Sequence, residues 1–315
     1  MLSFRAALLL VLLLPSALHA TGKMAEPIPV GVLYSSTGTM AISETRLRDA
    51  LLVMIDQQNE RGGLLGRPLE AVVFDPKSTW PLYAEKARQM IEREQVAVIF
   101  GCWTSASRKA VKPVVEELNG LLVYPVQYEG REQSDNIFYL GAAPNQQALP
   151  AVRFLLETMK IDRWVLAGTD YVYPRTTNRL LSAFLLQSGV AAKDIMISYT
   201  PFGHDDWERI VSDIRRFAAE GGKPAIISTI NGDANIAFYR ELARQGVSAD
   251  DIPVLAFSVG EGELGIMGAK PLVGHLAAWN YFMSIDNPTN RAFISELQRQ
   301  SGGQVQVVND PIEAQ

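Results

Sequence analysis

The sequence predicts an α/β fold: two doubly wound parallel-sheet lobes joined by a hinge. Three observations carry this. Short apolar runs alternate with segments of helical periodicity along the chain. Two stretches rich in Gly, Pro and aromatic residues interrupt that order. Hydroxyl, aromatic and acidic residues recur just after the apolar runs, where a parallel sheet holds its ligands.

The first 20 residues, MLSFRAALLLVLLLPSALHA, read as a secretory signal. One cation, Arg5, precedes an apolar run too short to span a bilayer, and small residues lead to a cleavage point near Ala20. The expected location is therefore the periplasm. The 315-residue chain is 48% hydrophobic and carries a formal charge of −5, which argues against nucleic acid and anionic membranes as partners. Cys102 is the only cysteine, so an internal disulfide is excluded in an oxidising compartment.

The first lobe is expected over residues 28–143 plus 282–315. Pro29–Ser35 is its first strand, and Leu47, Leu51, Met54, Ile55 and Gln58 mark a helix stopped by Gly62-Gly63. Leu69–Phe74 is the second strand, with Ala84, Ala87, Met90 and Ile91 on the next helix. Val96–Phe100 and Leu121–Tyr124 are further strands. Gly141, Pro144 and Pro150 mark a crossing into a second lobe, expected over 144–281. There Trp164–Gly168, Ile195–Tyr199, Ala225–Thr229 and Pro253–Phe257 read as strands, with helices between them. His275–Phe282 reads as the crossing back.

The residues that follow these strands form the candidate site. They are Ser36 and Thr37; Trp103, Thr104, Ser105 and Ser107; Tyr124, Gln127, Tyr128 and Glu129; Asp170, Tyr171 and Tyr173; Asn231 and Asp233; Ser258 and Glu261. Such residues suit a pocket with aromatic walls and a few orienting polar groups. Each hydroxyl, amide or acid is also an ordinary helix cap or turn former, so the set carries the reading and no single member does. Arg108 and Lys109, one turn into the helix after Ser105, read as a solvated face.

Catalysis, metal and cofactor find no support. Outside the signal only His204 and His275 remain. No His-Glu-x-x-His, paired-cysteine spacing or Gly-x-Ser-x-Gly occurs. Gly260, Gly262 and Gly265 match a dinucleotide spacing, but Glu261 and Glu263 would face the pyrophosphate. That segment reads instead as a flexible loop offering Glu261 to a ligand. Cys102 reads as a small buried residue. A helix start at Thr104–Ser105 offers amide and hydroxyl donors to a carbonyl or carboxylate.

The blocks STGTMAISE, DPKSTWPLYAEKA, GCWTSASRKAV, YPVQYEG, GTDYVYPRTTN, NGDANIAFYREL and AAWNYFMSIDNP resemble the substrate-binding proteins of urea ABC transporters. Those belong to the type I periplasmic-binding family, with branched-chain amino-acid binders and short-amide sensors. The resemblance covers about Pro29 to Ala314. It implies a two-lobed, non-enzymatic receptor that binds urea or a short amide and delivers it to an inner-membrane ABC permease. Its alternatives are a short-amide sensor regulating amidase expression and a branched-chain amino-acid binder. It implies no cofactor and no metal. Ligand positions carried over by the resemblance match Ser36, Thr37, Trp103, Thr104, Ser105, Tyr124, Val126, Gln127, Tyr171 and the loop holding Glu261; Asp170 and Tyr173 join them from the strand-end reading. The family continues past the point where this chain has Glu313-Ala314-Gln315, so the resemblance implies a C-terminally truncated chain.

Overall fold

A computed structural model describes residues 26–303, 305 and 307–315. The expected signal, residues 1–20, lies outside them.

Two five-stranded parallel sheets organise the chain. The first contains β1 (Ile28–Leu33), β2 (Leu69–Phe74), β3 (Val98–Gly101), β4 (Leu122–Tyr124) and β5 (Ile137–Tyr139), in the order β2-β1-β3-β4-β5. Helices α1 (Ala41–Glu60), α2 (Trp80–Glu92) and α3 (Ser105–Glu117) connect its strands. The second contains β6 (Arg163–Thr169), β7 (Ile195–Thr200), β8 (Pro224–Thr229), β9 (Val254–Ala256) and β10 (Leu276–Ala277), in the order β10-β9-β8-β6-β7. Helix α4 (Ala148–Glu157) leads into it, and α5 (Val172–Gln187), α6 (Glu208–Ala219), α7 (Ala234–Arg244) and α8 (Glu261–Met267) connect its strands. Helices α9 (Pro288–Gln300) and α10 (Asp310–Ala314) follow.

The two sheets repeat one plan. Each first strand, β1 or β6, has its successor on one side and the remaining strands on the other. That reversal leaves a crevice at the carboxyl ends of the central strands. Strand β6 is buried along its whole length, as expected for a parallel strand covered on both faces. Val165 and Ile226 pack into one core of the second sheet, and Leu166 and Ile227 into the other. On the first sheet, Val32, Leu47, Met90, Ile99 and Val115 share one core with Leu297, Val308 and Ile312. The segment after residue 282 therefore packs on the first sheet.

Three sequence expectations need correction, the first being that His275–Phe282, read as the crossing back, contains β10, whose Leu276 and Ala277 pair with Leu255 and Ala256. The stretch read as a plain crossing contains β5, whose Ile137 and Phe138 pair with Leu122 and Val123. Its glycine stands where the chain leaves that strand, not where it breaks one. The expected flexible loop at 260–265 is helix α8. The Glu263 carboxylate accepts the Gly260 N–H at 2.9 Å and so closes the helix start.

Candidate functional site

The site grows from the carboxyl end of β3. Cys102 turns the chain with φ +68°, a left-handed conformation uncommon for a side-chain-bearing residue. Its thiol is fully buried, and burial pushes its pKa far up, so it is no nucleophile at neutral pH. Thr104 then caps α3: its Oγ1 accepts the Ser107 N–H at 3.0 Å. The amides of Ser105 and Ala106 precede any intrahelical acceptor and head the positive end of the helix. Trp103 is buried, and its carbonyl accepts the Tyr124 hydroxyl at 2.7 Å. The exit of β3 is thereby tied to the exit of β4.

Arg108 lies behind this helix start and overturns the solvated-face expectation. It is 0% exposed. Its guanidinium donates to Ser105 Oγ at 3.1 Å, Glu129 at 3.2 Å and Glu132 at 2.7 Å. The Tyr124 and Tyr128 rings lie 4.7 and 5.0 Å from it. Burial alone would raise the Glu132 carboxyl; Arg108 and then Lys109 outweigh it and hold Glu132 at about 2. A guanidinium only donates, so Ser105 Oγ accepts there and keeps its own proton for another acceptor. The sequence missed Arg108 because its partners stand 21 and 24 residues away.

The exit of β4 carries Val126 and Gln127, both buried. Gly141 makes their position possible, since a Cβ there would lie 2.0 Å from the Val126 carbonyl carbon. Gln127 reaches across to the second sheet. Its Nε2 donates to the Phe257 carbonyl at 2.7 Å and approaches Ser258 Oγ at 3.4 Å.

The second sheet contributes rings. Tyr171 precedes α5 and lies 4.9 Å from the Phe202 ring and 6.2 Å from Tyr173. Trp80, from the first sheet's α2, reaches 6.5 Å from Tyr171 and 5.7 Å from Phe202. Trp80 and Phe202 were absent from the sequence-derived set, although both also follow strand ends. Burial raises the Tyr171 hydroxyl strongly, and Tyr124, Tyr173 and Glu129 add to it. Burial likewise raises the Tyr173 hydroxyl, while the Gln127 amide draws it back. Among the described residues, neither Tyr173 Oη nor Gln127 Oε1 has a hydrogen-bond partner, and Glu129 Oε2 has none. Three buried polar atoms at the seam between the sheets are left for something else to satisfy.

The lobes also touch at the rim. The Asp233 N–H donates to the Thr39 carbonyl at 3.2 Å, and the Thr39 hydroxyl donates to the Asp233 carboxylate. Gly232, at φ +73°, allows this, since a Cβ there would sit 2.8 Å from that carbonyl.

Four expected site residues are not gathered at the seam. Ser36 and Thr37 both bond to Asp75, at 3.0 and 2.9 Å, and brace the β1 and β2 exits. Asp170 is exposed and pairs with Arg175, which holds its carboxyl below the usual range. Glu261 accepts the N–H groups of Met283 at 2.6 Å and Ser284 at 3.1 Å, fixing the returning chain to α8. The structure does bring together Trp103, Thr104, Ser105, Tyr124, Val126, Gln127, Tyr171 and Tyr173.

Comparison with known proteins agrees with this architecture. Leu/Ile/Val-binding protein homolog 6 of Brucella melitensis is 21% identical over 292 residues, covering 91% of this chain and 72% of that protein. An R. palustris ABC-transporter solute-binding protein, solved with 4-hydroxybenzoate, superposes with a TM-score of 0.79 at 21% identity, covering 91% of this chain and 77% of that one. The LivJ substrate-binding protein of Streptococcus pneumoniae, solved with isoleucine, gives 0.74 at 15% identity, covering 87% and 77%. A periplasmic binding protein domain model matches residues 28–315, so the chain belongs to the periplasmic binding protein domain family.

Proposed function

We propose that this protein is a periplasmic receptor that closes over urea or a short amide and delivers it to an ABC permease. The observation that carries the proposal is the set of unpartnered buried atoms at the seam: Gln127 Oε1, Glu129 Oε2 and Tyr173 Oη. Two of these are acceptors with no donor. On the first-sheet wall, beside Gln127 and Glu129, stand donors, the first-turn amides of α3. A planar neutral molecule with a carbonyl at one edge and N–H groups at the other complements both sets. Tyr171 and Trp103 offer flat faces for it. Buried groups left unpaired by a mismatched solute give such a site strong discrimination.

Charge balance favours a neutral solute. Arg108 and Lys109 face Glu129 and Glu132, two cations against two carboxylates.

The branched-chain amino-acid reading has support in the relatives' printed names. A zwitterion needs an acceptor for its ammonium, and Glu261 was the sequence candidate. That carboxylate accepts the Met283 and Ser284 N–H groups and holds the returning chain to α8 instead of facing the seam. The short-amide sensor would share the site and differ only in its partner.

Calorimetric titration with urea, acetamide and L-leucine tests the proposal. Saturable heat from urea or acetamide is the expected result. Heat from leucine with none from either amide would sink it.

A further inference from the structure

We propose that Gln127 joins solute reading and lobe closure into one event. This rests on the amide-receptor reading and specifies the residue that enforces it. The Phe257 carbonyl can only accept a hydrogen bond, so the atom 2.7 Å from it is the carboxamide nitrogen, and Oε1 must face the other way. Gln127 is 3% exposed, and its Oε1 has no partner. Gln127 follows β4 of the first sheet, whereas Phe257 follows β9 of the second. The bond that aims Oε1 therefore exists only when the lobes meet. With the lobes apart, the carboxamide loses Phe257 and water satisfies both of its ends.

Closure thus buries a carbonyl oxygen and leaves it without a donor, a cost that a solute N–H removes. The closed state selects for N–H donors, and N–H donors select for the closed state. Tyr173 Oη, equally buried and unpartnered, is the second group completed by such a solute. Gln147 provides an internal control. Its Nε2 also donates to a carbonyl, that of Ala278, at 2.7 Å, but Gln147 is not among the residues with an unpartnered buried atom.

The test uses the full protein and the variants Gln127→Met and Gln147→Met. Affinities are measured by calorimetry for urea, acetamide, N,N-dimethylacetamide, L-leucine and benzoate, and compactness at saturation by small-angle X-ray scattering. The expected result has three parts. The parent binds acetamide and rejects the dimethyl analogue. Gln127→Met weakens acetamide at least tenfold and stays expanded at saturation. Gln147→Met binds as the parent does. If Gln127→Met does not fold, Gln127→Glu replaces it: its ionised carboxylate keeps acceptor oxygens but cannot donate to Phe257, and the same loss is expected. Parental acetamide affinity in the Gln127 variant overturns this inference and leaves the amide reading intact. If the parent binds leucine and neither urea nor acetamide, the amide reading falls; this inference then stands only if Gln127→Met weakens leucine tenfold. Binding of benzoate alone, or of no member of the panel, overturns both.

Discussion

The first-sheet wall of the cleft is built from ions and hydrogen bonds; the second-sheet wall is built from rings and main-chain carbonyls. On the first, Arg108 ties α3 to Glu129 and Glu132 and fixes the direction of the Ser105 hydroxyl. On the second, Tyr171 and Phe202 form a surface 4.9 Å apart, and Phe257 presents its carbonyl. One wall carries buried charge, while the other presents aromatic faces and a main-chain carbonyl. At the site they are crossed by Gln127, which reaches Phe257 and Ser258, while Ser43 to Glu263 at 3.4 Å forms a second buried crossing between α1 and α8.

Breaking the ionic wall has the largest expected effect. Arg108→Met leaves Glu129 and Glu132 buried without their guanidinium, which should cost roughly 3–5 kcal/mol. Denaturant unfolding measures it, and a loss below 1 kcal/mol would show that the two carboxylates escape to water.

A second buried carboxylate on the same sheet sharpens the contrast. Glu44 is fully buried without a cation, and its Oε1 is unpartnered. Burial raises it from 4.5 to about 7 against the hydrogen bonds of Ser35 and Tyr83. The folded state thus holds a proton that the unfolded chain has released between those pH values, so stability falls as pH rises through the window. At about 1.4 kcal/mol per pH unit this accumulates to at most about 3.5 kcal/mol. Glu44→Gln should flatten that part of the curve. Asp310, raised by burial from 3.8 to about 6, gives a slope of the same sign at lower pH that should remain.

Thinning the aromatic wall is milder. Trp80 is 37% exposed and meets Tyr171 and Phe202 across the seam. Trp80→Ala should reduce solute affinity by about tenfold or less, given roughly 0.5–1.5 kcal/mol for such ring pairs. Thermal stability of the unliganded protein should move little. The smallest effect is expected at Asp170, which lies outside both walls: Asp170→Asn should leave affinity unchanged in the same titrations.

The sequence made the sheets legible because parallel strands buried on both faces read as short apolar runs, as Trp164–Gly168 does. It located the α3 start because a cap and a hydroxyl cluster follow β3 directly. It lost β5 because Gly141 and the prolines look like a break, when Gly141 instead lets one chain pass another. It misread Arg108, since burial of a cation depends on acids brought close only by folding. Asp170 and Glu261 were drawn into the set because a strand-end acid looks alike whether it faces a ligand, Arg175 or main-chain amides. Gln127 was named, but its orientation depends on a carbonyl 130 residues away.

A crystal structure of the protein grown with urea tests the central claim most directly. The account predicts one planar solute at the seam, its carbonyl on the first turn of α3 and an N–H on Gln127 Oε1, beneath Tyr171. Lobes closed with no solute there, or urea bound away from Gln127 and Tyr171, would contradict it.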